Sequence, residues 1–391
     1  MTPAAGSPAP GQRPTVLLTG MLAGRPQLGG LAWVALNQLL GLRAAGFDAH
    51  LIEPITDDVH PPGAPLSSSA PAAHLRALTQ AYGLAGAATL LHTRTRETVG
   101  LPYPDLAARA AHSDVLLNVG GMLRDPDLAG PPPIRAYLDL DPGFTQLWAA
   151  DGVDLRFDGH THFVTVGPAL GTPGCPVPTL DRHWIGMLPP VSLAHWPAAP
   201  GGQDGAFTTV ASWRGYGSVW HDGVHYGQKA HAMRPLFDLP ARTHERIEIA
   251  LDIHPAEHHD VDALRRHRWT ILNPASVAAT PQAFHRFVTD SKAELGVAKL
   301  GYLAGRTGWF SDRSACYLAA GRPVLAHDTG FGAQLPTGAG LLAFCDVDGA
   351  AAGIAEIAGD YRRHSAAARA IAVEHLDARK VLGDLLDRLT A

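Results

Sequence analysis

Two trains of short apolar runs, each alternating with helix-patterned segments, dominate this sequence. A stretch dense in proline and glycine separates them. The first train opens with "TVLLTGMLA" (15–23), an apolar run ending near glycine and so a buried strand. A glycine loop, "GRPQLGG", leads into "LAWVALNQLLGLRAAG", where Val34, Leu36, Leu39, Leu40 and Leu42 fit a helix stopped by Gly46. "FDAHLIEP" then reads as a second strand, completing a βαβ unit. "DVLLNVGG" (114–121), "IRAYLDLDP" (134–142) and "HFVTVG" (162–167) continue the series. Buried strands alternating with helices require a parallel sheet covered on both faces.

The stretch "MLPPVSLAHWPAAPGGQDGA" (187–206) reads as an extended connection. A second alternation follows it: "FTTVASW", "RIEIALDI", "WTILNP", "AELGVAK", "PVLAHD" and "GLLAF" as strands, with helical segments between them. The expected architecture is therefore α/β, two Rossmann-like domains facing across a cleft. The expected boundaries are a flexible Pro/Ala/Gly-rich leader at 1–13, a first domain at 14–188, a linker at 189–206 and a second domain at 207–391. In open sheets of this kind ligands bind beyond the C-terminal ends of the strands.

Composition narrows the function classes. With 46% hydrophobic and 17% charged residues in 391, an extensive core is expected and wholesale disorder is not. A net charge of -5 argues against a general nucleic-acid binder and leaves room for a local basic site. Cys175, Cys316 and Cys345 are far apart and odd in number, with neither a disulfide framework nor zinc-knuckle spacing. The N-terminus has no apolar signal core, and no run approaches the roughly 18 apolar residues of a membrane span. A soluble cytoplasmic protein without a membrane span is expected.

The most informative segment is "WFSDRSACYLAAGRPVLAHDTGF" (309–331), a polar helix start followed by a small apolar run, Gly-Arg-Pro, a strand and a glycine turn. A helix N-terminus presents unpaired N–H groups and partial positive charge, which suits a phosphate. Ser311 can cap it, with Asp312, Arg313 and Ser314 following, and Arg306 and Lys299 nearby in sequence. The same residues also fit a Ser-capped helix with solvated charges.

This segment resembles the donor site of GT-B-fold glycosyltransferases. In that family a helix ending in small residues leads into a Gly-x-Pro-Val-hydrophobic-Ala strand and a polar glycine turn, as "ACYLAAGRPVLAHDTGFG" does here. The run "GWFSDRSACYLAAGRPV" (308–324) is also similar to a bacterial subgroup of such enzymes, and the N-terminal "GG…LNQLLGLRAAGFDAHLIEP" resembles the way they begin. The resemblance implies a nucleoside-diphosphate-sugar, UDP-sugar above all, as co-substrate, with no tightly bound cofactor and no metal. It departs from the family at two places: Cys316 and Gly308 stand where the family has its two acids. On this reading Ser311, Asp312, Arg313 and Ser314, with Lys229, Arg214, Lys299 and Arg306, bind the donor diphosphate, and Asp328 and Thr329 reach sugar hydroxyls. Of the two basic residues in "WRGYGSVWHDGVHYGQKAHAM", Lys229 is preferred over Arg214, and the loop's glycines suggest a mobile cover. A surface hairpin is the plainer alternative.

Candidates in the first half are weaker. Asp139 and Asp141 in "LDLDPGF" match the DxD form that holds metal in GT-A transferases, a pattern that three residues meet easily. Asp141 at a strand end is a candidate general base for an acceptor hydroxyl, or else caps a turn before Pro142. His160, in "FDGHTHFVTVG", ranks below it. Gly29 and Gly30, and Asn118, Gly120 and Gly121, form loops where backbone approaches sugar or acceptor. "HPAEH" (254–258) matches the inverted zinc-peptidase motif, but Pro255 and the preceding strand pattern oppose a shared helix face, and no third ligand is evident. The expected activity is sugar transfer to a small-molecule, glycan or protein acceptor. The competing readings are a GT-B sugar-nucleotide epimerase or hydrolase, and a non-catalytic relative that binds a nucleotide-sugar or glycan.

Overall fold

The computed structural model describes residues 14–61 and 63–391, so the expected leader at 1–13 lies outside the described residues. The chain divides into two compact units. One comprises the described residues up to Leu140 with Asp154–Val164 and Ala378–Ala391; the other comprises Asp141–Val153 and Thr165–Asp377.

The first unit is built on β1 (Thr15–Thr19), β2 (Asp48–Ile55), β3 (Ala88–His92), β4 (Thr98–Val99), β5 (Val115–Val119), β6 (Ile134–Asp139) and β7 (His162–Thr165). They lie in the order β4-β3-β2-β1-β5-β6-β7. The pairs β1–β2, β2–β3, β1–β5 and β5–β6 are parallel, and β4 folds back antiparallel as a short edge. The first helix, Gly29–Ala44, is buried over most of its length, as its nearly uninterrupted apolar sequence requires. Its cover includes the C-terminal helix Ala378–Thr390: a Cβ at Gly41 would sit 2.4 Å from the Cβ of Ala378. Residues 378–391, read from the sequence as part of the second domain, thus pack in the first unit.

In the second unit, β8 (Trp184–Gly186) is followed by β9 (Phe207–Ser212), the hairpin β10 (Val219–His221) and β11 (Val224–Tyr226), then β12 (Ile247–Asp252), β13 (Thr270–Leu272), β14 (Ala293–Gly296), β15 (Val324–His327) and β16 (Leu341–Phe344). The main sheet runs β13-β12-β9-β14-β15-β16, all parallel. Chain order reverses between β9 and β14, which is where an open α/β sheet leaves a crevice at its strand ends. Its core joins Phe207, Ile249, Leu295 and Leu325 to helix residues such as Met233, Leu264 and Ile354.

The Pro/Gly-rich stretch at 189–206 belongs wholly to this unit. Trp196 is fully buried, and the buried guanidinium of Arg322 donates to the carbonyls of Pro200 (3.0 Å), Gly201 (2.7 Å) and Thr289 (3.0 Å). The arginine of "GRPV" is therefore a staple holding the stretch expected to be a loose connection.

Candidate active site

The C-terminal ends of the second unit's strands gather most of the expected donor residues. β14 carries Glu294 into the sheet centre, where it is fully buried. A buried carboxylate needs a partner. Arg313, in the first turn of the helix Asp312–Ala319, supplies it: Nε lies 2.5 Å from Glu294 Oε1, and Nη1 donates to the Val210 carbonyl at 2.9 Å. The Ser311 hydroxyl caps this helix, accepting from the Arg313 amide at 3.2 Å. Burial raises the Asp312 carboxyl above its ordinary range, with Arg313 opposing. Ser314 is buried in the same turn.

Lys229 opens the helix Lys229–Met233 and is buried, its ammonium donating to the Val297 carbonyl at 2.5 Å. Burial pushes this ammonium well below the usual lysine range. Arg313 adds to the effect, Glu294 opposes it and Lys299 adds again. His327, at the end of β15, is lowered to about 4 by burial and then by Lys229. Among the described residues Glu294 Oε2, Gln228 Oε1 and His327 Nδ1 are buried without a hydrogen-bond partner. Such atoms call for a water or a ligand hydroxyl.

Asp141 and Lys299 form a second cluster. Lys299 Nζ lies 3.2 Å from Asp141 Oδ1, and the hydroxyls of Tyr216 and Tyr302 both donate to the Asp141 carboxylate. The ammonium also sits 4.0 Å from the centre of the Tyr216 ring, and Tyr302 stacks on Trp309. Phe144 and Trp148 pack edge-on against Tyr216. Burial lowers the Lys299 ammonium, with Asp141 opposing. Asp141, read from the sequence as part of the first domain, thus belongs to the second unit.

Arg214 pairs with Glu257, and both line a cavity of about 360 Å³ with Ser212, Trp213, Asp252 and His254, at the ends of β9 and β12. Arg306 is exposed, and among the described residues its guanidinium has no hydrogen-bond or ion-pair partner; its backbone is left-handed at φ 43°. Asp328 accepts from the Gly330 amide at 2.9 Å, and the Thr329 hydroxyl donates to the Trp309 carbonyl, so both shape the glycine turn. His254 Nδ1 accepts from the Ala256 amide at 3.2 Å and precedes a short 3-10 turn, Pro255–Glu257, with the helix starting at His258. His254 and His258 therefore do not share a helix face. No group of three His, Cys, Asp or Glu among the described residues is placed to hold a metal.

In the first unit, Asn118 has its whole amide engaged. Nδ2 donates to the Leu123 carbonyl (3.1 Å) and to His160 Nε2 (3.1 Å), while Oδ1 accepts from the Leu123 amide (3.0 Å) and the Thr19 hydroxyl (3.3 Å). That network fixes the amide, so His160 Nε2 accepts and Nδ1 donates to the Phe157 carbonyl at 3.2 Å. Burial lowers the His160 imidazole. Gly120 and Gly121 turn left-handed after β5. Gly29 and Gly30 form the first turn of the helix Gly29–Ala44, whose start has no side-chain cap.

Sequence reasoning missed Glu53, Glu294, Tyr216 and Tyr302. Glu53 on β2 is buried and accepts from the amides of Leu22 (3.0 Å), Ala23 (2.7 Å) and Gly24 (2.8 Å), pinning the loop after β1. Burial lifts its carboxyl to about 6 against those three bonds. The signal for both glutamates was a carboxylate inside an apolar strand run, which must find partners.

No family model matches the chain, and no curated protein matches it. Solved structures do match. HepE of Anabaena, in complex with UDP and glucose, is 12% identical with a TM-score of 0.57, covering 96% of this chain and 99% of its own. An alpha-glucosyltransferase in complex with UDP is 10% identical with a TM-score of 0.58, covering 96% and 100%. AviGT4, a glycosyltransferase involved in avilamycin A biosynthesis, is 13% identical with a TM-score of 0.50, covering 96% and 97%. Agreement over nearly the full length gives this chain the GT-B fold. The alpha-glucosyltransferase was also solved with a 13-mer DNA, so likeness of fold gives no ground for excluding a nucleic-acid acceptor.

Proposed function

We propose that this protein is a cytoplasmic glycosyltransferase that takes a sugar from a nucleoside-diphosphate-sugar, UDP-sugar above all. The observation that carries the reading is the gathering of Lys229, Lys299, Arg313 and Glu294 at the chain-order reversal of the second sheet, beside the cavity lined by Trp213, Arg214, Asp252 and His254. The cavity suits a nucleoside, and Lys229, Lys299 and Arg306 suit its diphosphate. Positive charge held there stabilises the leaving diphosphate as the glycosidic bond breaks. Arg313 serves this arrangement through Glu294, fixing the carboxylate beside Lys229. Asp328 and Thr329 face sugar hydroxyls, and Asp141 takes the acceptor's proton. The first unit, with the helix start at Gly29 and Gly30, Asn118 at the end of β5, the left-handed turn at Gly120 and Gly121, and His160, holds the acceptor. Likeness to UDP-bound glycosyltransferases supports the donor class, and the buried unpartnered atoms of Gln228, Glu294 and His327 support a hydroxylated ligand.

Calorimetry with UDP, uridine and a panel of nucleotide-sugars tests this. UDP should bind more tightly than uridine, and a UDP-sugar should be turned over faster when acceptor is present. Failure of every nucleoside diphosphate to bind would overturn the reading. Donor hydrolysed or epimerised without acceptor would replace transfer with those activities, and tight binding without turnover would favour a non-catalytic relative.

A further inference from the structure

We propose that the first unit holds an oxyanion-binding site between Arg124 and Arg156, and that the acceptor is an anionic small molecule. This rests on the glycosyltransferase reading for the word acceptor; the anion site itself does not.

Two cavities of about 510 and 540 Å³ adjoin on this unit, and they share Leu123, Arg124 and Arg156 as a common wall. Both lie by β5, next to the reversal of chain order between β1 and β5, where open α/β sheets take ligands. Both guanidiniums are exposed, and among the described residues neither has a hydrogen-bond or ion-pair partner. The other cations in the cavities are committed. Arg135 donates to the carbonyls of Gly159 (2.5 Å) and Pro132 (2.9 Å), and Arg96 pairs with Asp125 and Asp127, each at 2.9 Å.

The acids are accounted for in the same way. Asp125 is held by Arg96 and by the Tyr103 hydroxyl at 3.0 Å, and Asp154 accepts from the Arg156 amide at 2.8 Å. Asp158 lines the first cavity as an exposed carboxylate, so two uncommitted guanidiniums face one uncommitted acid. The backbone is shaped to bring Arg156 here. Its own φ is 63°, and Gly121, at φ 62°, lies so close that a Cβ there would meet the Arg156 Cβ at 2.9 Å. Two free forks at one wall match a phosphate or a carboxylate.

The probes are phenyl phosphate and benzoate, which share a ring and differ in head group, titrated by chemical-shift perturbation and calorimetry. The wild type should bind at least one, and Arg124→Gln/Arg156→Gln should lower that affinity about tenfold or more, with Arg124→Lys/Arg156→Lys recovering part of it. Phenyl phosphate binding more tightly assigns a phosphate-bearing acceptor; benzoate binding as tightly or more assigns a carboxylate. No binding to the wild type, or equal binding by the glutamine variant, overturns the site. UDP affinity is measured on the same proteins. UDP bound equally by wild type and variant keeps the anion result separate from the donor site. If UDP binds neither protein, the glycosyltransferase reading falls while the anion site is still decided by the probes.

Discussion

The Glu294–Arg313 pair gives a decisive prediction, because two readings of Arg313 diverge on it. As a diphosphate ligand, Arg313 should matter to UDP and little to the apo fold. As the partner of a buried carboxylate, it should matter to the fold first. The pair is 2.5 Å apart, with the arginine side chain 16% exposed and the glutamate 0%. Removing one member of such a pair strands the other charge and costs roughly 3–5 kcal/mol. Arg313→Met also frees the Val210 carbonyl, adding about 1 kcal/mol. Glu294→Leu strands the guanidinium in turn. The double variant strands nothing and should come within roughly 1–2 kcal/mol of the wild type, so the coupling across the cycle should be several kcal/mol.

Two compact units make a single unfolding free energy ill-defined. Hydrogen exchange over the helix Asp312–Ala319 and over β14 therefore supplies the local readout, with urea unfolding beside it. The ligand arm compares UDP with uridine. The ion-pair reading predicts that their affinity ratio is unchanged in the double variant, provided it folds. Additive single effects, with a coupling below about 0.5 kcal/mol, together with a ratio that collapses toward one, would refute the reasoning and return Arg313 to the diphosphate.

Three further outcomes follow from the same geometry. Lys229→Met removes a buried ammonium that donates to the Val297 carbonyl, so UDP affinity should fall about tenfold or more while stability holds or rises, as calorimetry and thermal unfolding will show. Glu53 is lifted from 4.5 to about 6, so its contribution to stability is fully present below pH 4.5 and is lost, by about 2 kcal/mol, as pH rises through 6; Glu53→Gln should flatten that part of the stability profile. His327 is lowered from 6.5 to about 4, so its contribution has the opposite sense, present above pH 6.5 and lost by about 3 kcal/mol as pH falls toward 4; His327→Phe should remove that acid sensitivity in a urea titration series.

Most of the longer parallel strands were legible because a buried parallel strand is a mostly apolar run, as in "TVLLT", "DVLLNV" and "PVLAH", whereas β3 (Ala88–His92) and the short β4 and β8 were not read. The helix after Ser311 was legible from its cap. Long-range pairing was not. Lys299 meets Asp141 across 158 positions, and no spacing rule reaches that far. The Pro/Gly-rich stretch misled because its composition suits a free connection, while its structure depends on Arg322, more than a hundred residues on. The docking of the last helix on Gly41 was hidden for the same reason, since a small residue in a helix announces a close approach without naming what approaches.

The charges near the chain-order reversal suggest why Asp141 and Lys299 should act together. Three cations, Lys229, Lys299 and Arg313, stand with three carboxylates, Asp141, Glu294 and Asp312. Without ligand the group is close to neutral. On the proposed reading, a donor diphosphate competes with Asp141 for Lys299. Winning that competition takes the ammonium from the carboxylate, which the tyrosine hydroxyls still hold, and makes it a stronger base toward an acceptor hydroxyl. Donor binding and exposure of the base are then one event. Asp141→Asn tests this directly. It removes the competitor, so UDP should bind several-fold more tightly, about 1 kcal/mol, while transfer is lost. A variant that binds UDP more weakly than the wild type would mean that Asp141 holds Lys299 in place for the donor, and the coupling would fail.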